Sequence, residues 1–455
     1  MKKHHFLIIS LPAQGHINPT LQLAKNLARA GARCTFVTTV HGFRKMNNLP
    51  SIDGLFYASI SDGHDDGKPK EMYFGDYLND LKRVGSENLK NLLQKFTDDG
   101  YPVTCLVYTI LFTWVAEVAR EYHAPSAFLA IQCAAAFAIY YHLFTTNNGI
   151  YSSTTEIEPS FPIKLPESPL FSRDDIPTFL LQSDSASSFM IPVMREHIKI
   201  LENDPNPRVL INTFDALEEK SLKIFEKIGV SSIGPLIPSA FCDGNDVNDK
   251  SFGCELFDKS ENYSQWLDSK AEGSVVYISF GSLAVLKEEQ KEEILKGLLE
   301  SERPFLWVIR TSNKDDKIKN ENYGLNGKGM IVPWCSQMEV LFHKSIGCFM
   351  SHCGWNSTLE SIAAGVPLIG YPQFSDQVTN IKMVEEVWGT GVRARPEEGI
   401  VKREELKRCL EILMGGGEKG NEIRRNVKKY GDLAMEAVKE GGSSHYNLNK
   451  FIDSL

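Results

Sequence analysis

Apolar and polar positions along this chain fall into two alternating patterns. Short apolar runs read as strands over Phe6–Ser10, Cys34–Thr39, Cys105–Tyr108 and Ser126–Ile131. Between the first two, Ile17, Leu21, Ala24 and Ala28 recur at helical spacing, and another helical stretch runs through Arg120. Such alternation predicts right-handed βαβ units and a parallel sheet with helices on both faces. The pattern breaks around Ile233–Leu256, where Gly234-Pro235, Pro238 and Asp243-Gly244-Asn245-Asp246 have the chemistry of a linker. A second series follows, with strands expected over Val275–Phe280, Phe305–Arg310, Met330–Val332 and Cys348–Ser351. An amphipathic helix is expected over Glu288–Leu299, and Glu422–Leu455 reads as mostly helical. The expected class is therefore α/β, with two doubly wound parallel-sheet domains. The divisions fall at 1–240, a linker 241–260, a second domain 261–435, and a C-terminal helix 436–455 packing back on the first domain. No short-period repeat is present. Two such domains facing each other leave a cleft at the C-terminal ends of their strands, where these sheets bind ligands.

Composition narrows the classes of function. A chain of 455 residues exceeds one compact core, which agrees with two domains. Its net charge of −9 disfavours nucleic acid or an anionic membrane as the main partner. A phosphate ligand is still possible, because backbone amides at one helix end can hold it locally. The nine cysteines are odd in number and form no CxxC pair, which suits free thiols in a reducing compartment. The apolar run Phe6–Pro12 is as short as a secretory core, but Gln14, Gly15 and His16 follow at once without a cleavage site. No run approaches the roughly 18 apolar residues of a membrane helix. A cytoplasmic monomer is expected. The loop Asp62-Gly63-His64-Asp65-Asp66-Gly67 lacks EF-hand spacing and reads as a solvated turn, and Lys314–Glu321 as an exposed loop.

The densest chemistry lies in Trp334–Gln377. There the strand Cys348–Ser351 runs into His352-Cys353-Gly354-Trp355-Asn356-Ser357, and a helix follows. Gly354 permits a tight turn and close approach of a ligand. Asn356 and Ser357 then stand at a helix N-terminus, whose amides and dipole favour a phosphate. Glu360, one turn on, can accept hydrogen bonds from ribose hydroxyls. Ser357 three residues before Glu360 equally fits a capping box. For Trp334 and Trp355 the alternative is core packing, and His343 reads as a satisfied histidine without chemistry.

This stretch closely resembles the signature box of plant secondary-product UDP-glycosyltransferases. The resemblance rests on Trp334, Gln337, His343, the run His352–Ser357, Glu360, Gly365, Pro367, Pro372, Asp376 and Gln377. It extends to Pro12-Ala13-Gln14-Gly15-His16-Ile17-Asn18-Pro19, to Phe280-Gly281-Ser282 and to Gly441-Gly442-Ser443-Ser444. Within the family the chain resembles anthocyanin 5-O-glucosyltransferases and the related enzymes that glucosylate carboxylic acids such as indole-3-acetate, abscisate and crocetin. The resemblance implies a GT-B fold of two facing Rossmann-like domains, inversion at the anomeric carbon, and no cofactor or metal, with UDP-glucose as co-substrate. It implies that Trp334 stacks on uracil, Gln337 lies beside the uridine and Glu360 holds the ribose. Ser282, His352, Asn356 and Ser357 bind the diphosphate, and Trp355, Asp376 and Gln377 the sugar. His16 becomes the general base, in a loop between the first strand and a helix whose first turn holds Pro19. Gln377 implies glucose rather than galactose, its amide both donating to and accepting from sugar hydroxyls.

Two departures from the family stand out. Where an Asp usually orients the base, this chain has Thr109, a residue shared by the similar enzymes named above. Ala130 and Cys133 replace an expected Trp and Pro, which implies a wider acceptor region, with Gln132 in reach of the sugar. A neutral Thr109 suits a small apolar acceptor that is already ionised, a carboxylic acid or an acidic phenol, and a flavonoid or anthocyanin hydroxyl is the alternative. A sugar-nucleotide epimerase and a non-catalytic nucleotide-sugar binder are the rivals of other classes.

Overall fold

Runs such as His5-Phe6-Leu7-Ile8-Ile9 are buried along their whole length, as strands covered by helices on both faces must be. The computed structural model describes residues 4–145, 162–181, 189–225, 228–254, 256, 260, 262–310, 325 and 327–455. The expected loop Lys314–Glu321 lies outside these residues. The chain divides into two compact units. The first comprises Met1–Pro238, Phe252–Leu256 and Ala437–Leu455, and the second Ser239–Ser251 and Phe257–Glu436.

The first unit carries β1 (His5–Ile9), β2 (Arg33–Thr39), β3 (Leu55–Ile60), β4 (Cys105–Tyr108), β5 (Ser126–Ala130), a small antiparallel pair β6 (Ile163–Lys164) and β7 (Leu170–Phe171), β8 (Arg208–Ile211) and β9 (Gly229–Ser232). Its seven-stranded parallel sheet has the order β3-β2-β1-β4-β5-β8-β9. Phe6, Ile8, Cys34, Phe36, Cys105, Val107, Ala127 and Leu129 form one face of it. On that face they pack with Ile17, Leu21, Ala24 and Ala28 of the helix Gln14–Arg29, the predicted apolar stripe. Leu448 and Phe451 of the helix Ser443–Asp453 complete this cluster, with the Phe451 ring 5.9 Å from Phe6. Fully burying one such side chain is worth about 1.5–3 kcal/mol, so the last helix contributes substantially to the first unit.

The second unit carries β10 (Val275–Ser279), β11 (Phe305–Val308), β12 (Gly329–Val332), β13 (Ile346–Ser351), β14 (Leu368–Gly370) and β15 (Gly391–Arg393). The parallel order is β12-β11-β10-β13-β14-β15.

The sheet order decides where ligands can sit. In each sheet the order reverses at one pair, β1 beside β4 and β10 beside β13. The loops leaving the carboxyl ends of such a pair diverge and open a crevice. The segments that follow β1 and β4 carry His16, in the first turn of the helix Gln14–Arg29, and Thr109. The segments after β10 and β13 carry Gly281-Ser282 and His352–Ser357, the last three residues of which open a helix.

Three local expectations are corrected. The stretch Ile233–Ser239 is buried, not a solvated linker, because its apolar residues Ile233, Leu236 and Ile237 join the interior. Asp62 is buried as well. Its carboxylate accepts from the Tyr77 hydroxyl at 2.7 Å and the His64 amide at 2.8 Å, so the turn is only partly solvated. Pro19 falls in the second turn, because the helix starts at Gln14.

Candidate active site

In the first unit, His16 is the third residue of the helix Gln14–Arg29 rather than a loop residue. Its backbone N–H donates to Ala13 O at 2.8 Å, so the first turn fixes the ring's origin. Pairing of Ile9 with Tyr108 aligns β1 with β4, and Thr109 follows directly, fully buried. The result is a contact of 3.2 Å between His16 Nδ1 and Thr109 Oγ1. The imidazole is half-buried, and loss of hydration pushes its pKa down to about 4. His16 is therefore neutral at pH 7, and in the tautomer whose Nδ1–H donates to Thr109, Nε2 is the nitrogen able to take a proton.

Gln132 follows β5 and is 6% exposed. Its Nε2 is buried without a hydrogen-bond partner among the described residues. Such an unpaired group is costly unless a ligand supplies the acceptor. The residues beside it are held firmly. Cys133 Sγ accepts the Ala136 N–H at 3.2 Å, capping the helix Ala134–Phe144. The buried carboxylate of Glu218 accepts the N–H groups of Ala134 at 2.8 Å and Ala135 at 3.1 Å. This bond from 84 residues away along the chain anchors the loop. Glu218 carried no local motif that marked it.

In the second unit, the helix Trp355–Ala363 begins at Gly354. Ser357 and Glu360 are thus the third and sixth helical residues, and they form no capping box. Gly281 has φ +71°, and a Cβ there would stand 2.6 Å from His352 Nε2; one on Gly354 would stand 2.5 Å from the same atom. The two glycines let the β10 and β13 loops close around His352, with Ser282 adjoining. His352 is neutral at pH 7, its pKa held at about 4 by burial and then by the charge of Arg310. Arg310 follows β11 and donates Nη2 to Ala284 O at 3.1 Å. Sequence reasoning missed this guanidinium, which gives the loop a positive potential.

Trp334 is half-buried, leaving part of its indole accessible. Gln337 donates Nε2 to Glu360 Oε2 at 2.6 Å and to Ser357 Oγ at 2.9 Å. Glu360 is 3% exposed, and burial pushes its carboxyl up to about 7. Trp355 is also 3% exposed, its ring 6.0 Å from Trp388 in the interior. Its indole is thus a packing group, and what it offers at this site is the backbone of the helix's first turn.

Asp376 Oδ2 accepts from Asn380 Nδ2 at 3.1 Å, and the same amide donates to Cys353 O at 2.9 Å. Asn380, also missed in the sequence, thereby ties the Asp376 loop to the His352 loop. Gln377 Oε1 accepts the N–H groups of Gln373 at 2.8 Å and Phe374 at 3.1 Å. Both lone pairs of that oxygen are used, so the amide can only donate to a sugar, which corrects the dual role expected for it. His343 is satisfied, its ring nitrogens 2.8 Å from Ser345 Oγ and 3.2 Å from Asp268 Oδ1. Among the described residues, no three His, Cys, Asp or Glu side chains form a group able to hold a metal ion.

Comparison with known proteins agrees with both sheets. Residues 245–428 match the family described as UDP-glucoronosyl and UDP-glucosyl transferase. Phloretin 4'-O-glucosyltransferase of Malus domestica is 48% identical, the match covering 100% of this chain and 98% of the relative. The chloroplastic crocetin glucosyltransferase of Gardenia jasminoides is 47% identical, with the same coverage of both chains. The crystal structure of Os79 from O. sativa in complex with UDP superposes with a TM-score of 0.87 at 34% identity, covering 99% of each chain. This chain belongs to the plant UDP-glycosyltransferase family. It is a glycosyltransferase with the GT-B fold.

Proposed function

We propose that this enzyme is an inverting, metal-independent glucosyltransferase that uses UDP-glucose and acts on a small apolar carboxylic acid, giving a β-glucose ester, or on an acidic phenol. The observation that carries the acceptor class is the contact of His16 with the neutral Thr109. Among the described residues no carboxylate stabilises an imidazolium there, and burial holds His16 near pKa 4. A phenol, with a pKa of about 10, would have to give its proton to this weak base, whereas a carboxylic acid of about 4 arrives ionised. The acid needs mainly positioning, which can supply much of the rate. Its carboxylate oxygen forms a bond to the anomeric carbon while the bond from that carbon to the β-phosphate oxygen breaks, and UDP leaves.

The geometry of the second unit supports the remaining assignments. Trp334 stacks on uracil with Gln337 beside it, and Glu360 accepts from the ribose. The diphosphate takes Ser282, His352, Asn356 and Ser357, under the potential of Arg310 and the helix N-terminus, which stabilise the leaving group. The sugar takes Asp376, the Gln377 amide hydrogens and the Trp355 backbone, with Gln132 Nε2 as a further hydrogen-bond donor. A cytoplasmic setting fits nine free thiols, all but Cys242 buried.

A second reading is supported by the phloretin enzyme at 48% identity: the acceptor group is a phenolic hydroxyl of a flavonoid. The test is a mass-spectrometric screen with UDP-glucose and matched acid and phenol acceptors of the same skeleton. Ester as the main product supports the first reading. Phenolic glucoside in excess, at a pH where the acid is ionised, overturns it.

A further inference from the structure

Tyr277 lies in β10, with 1% of its surface exposed and its ring stacked on Phe349 at 4.8 Å. Its hydroxyl is 3.5 Å from Cys335 Sγ and donates to Gln337 Oε1 at 3.3 Å. The opposite end of the same amide donates to Glu360. A directed chain thus runs from a buried phenol, through one amide, to a carboxylate.

We propose that Tyr277 is a positioning residue for nucleotide recognition: it orients the Gln337 amide so that Glu360 stays an acceptor for the ribose hydroxyls. This rests on the reading above that Glu360 holds the ribose. The two ends of a glutamine amide are nearly the same shape, and hydrogen bonds decide which way it faces. Tyr277 donates its proton to the oxygen end, and in that arrangement the N–H end faces Glu360. A flipped amide would set oxygen against oxygen, and Glu360 would then favour its protonated form, which burial already encourages. A second tyrosine braces the same segment through hydrogen bonds to residues other than Gln337. Tyr263 Oη accepts the Ser336 N–H at 3.3 Å and donates to Glu339 Oε2 at 2.7 Å. It provides the control for a purely structural effect.

The experiment measures calorimetric affinities of UDP and 2'-deoxy-UDP for the full chain and for Y277F, Y263F, E360Q and Y277F/E360Q. The unaltered enzyme is expected to prefer UDP by roughly tenfold or more, as a site with a paired ribose hydroxyl should. Y277F should shrink that preference by roughly threefold to tenfold, raise KM for UDP-glucose and leave kcat nearly unchanged. Y263F should leave the preference intact, and Y277F should add nothing in the E360Q background. If Y277F does not fold, Gln337→Met breaks the same link and should show the same loss. An unchanged preference in Y277F, or equal weakening of both nucleotides, overturns the role of Tyr277 while leaving the ribose reading standing. An unchanged preference in E360Q overturns the ribose reading itself.

Discussion

His16 Nδ1 faces the hydroxyl of Thr109 across 3.2 Å, at the point where the order of the first sheet reverses. The proposed base is thus oriented by a neutral group. The chemistry it can assist follows from that pairing.

For a phenol, the hypothesis predicts that His16→Ala lowers kcat/KM by roughly 10²–10⁴. For the matched acid the loss should stay near tenfold or less, since no proton has to leave. Thr109→Asp should raise the pKa of His16 and favour the phenol. The base works only when neutral, so phenol activity should persist down to about pH 4 in the unaltered enzyme and fail at a higher pH in Thr109→Asp. Equal losses for both acceptors in His16→Ala, with an unchanged ratio in Thr109→Asp, would show that this pair does not set the acceptor class.

UDP-glucose should be preferred to UDP-galactose in a competition assay with equal concentrations; a product that is mostly galactoside refutes this. Because the Gln377 oxygen already serves Gln373 and Phe374, Gln377→Glu keeps that acceptor and replaces the N–H donors by a charged carboxylate oxygen. It should lower kcat/KM for UDP-glucose by about tenfold without lowering the melting temperature. A fall in melting temperature with normal turnover would mean that Gln377 serves the loop alone.

Turnover should survive chelation. The diphosphate site proposed here uses a helix N-terminus, neutral hydrogen-bond donors and Arg310 in place of an ion. Complete loss of activity in EDTA, restored by Mg²⁺ or Mn²⁺, is the contrary outcome.

His197 sits 1% exposed against the Phe128 ring, with centroids 3.8 Å apart, and neither ring nitrogen has a partner among the described residues. Burial holds its pKa at about 3, below the ordinary 6.5. The unfolded chain therefore binds a proton that the folded chain does not, in the window from 6.5 down to about 3. Stability present above 6.5 is lost as pH falls through that window, by about 2 kcal/mol at pH 5. His197→Phe fills the same aromatic site and should raise the melting temperature, with a gain over the unaltered enzyme that grows from pH 7 to pH 5. A gain independent of pH would exclude His197 as the source of acid sensitivity.

The sequence determined the elements and the nucleotide box, for a physical reason. Strands buried on both faces must be continuously apolar, so Cys105–Tyr108 and the cores of the first, second, tenth and thirteenth strands were legible. The three-residue strand Gly391–Arg393 is too short to carry such a signal, and Leu55–Ile60, an edge strand only partly buried along its length, was missed although its residues are apolar apart from Ser59. The box residues Trp334, Gln337, His352–Ser357 and Glu360 were readable through the family resemblance that this stretch carries; spacing alone left a helix cap and core packing as alternatives. What only the tertiary structure decided is which atoms remain available for a ligand. Gln377 lost its oxygen to its own loop, and the Trp355 indole went to the interior. Tyr277 and Glu218 came in from elsewhere along the chain to hold Gln337 and the residues beside Gln132, and Asn380 ties its helix neighbour Asp376 to Cys353, 27 residues away along the chain. A buried polar atom must find a partner, and which partner it finds depends on the three-dimensional neighbours that packing brings together, not on spacing along the chain.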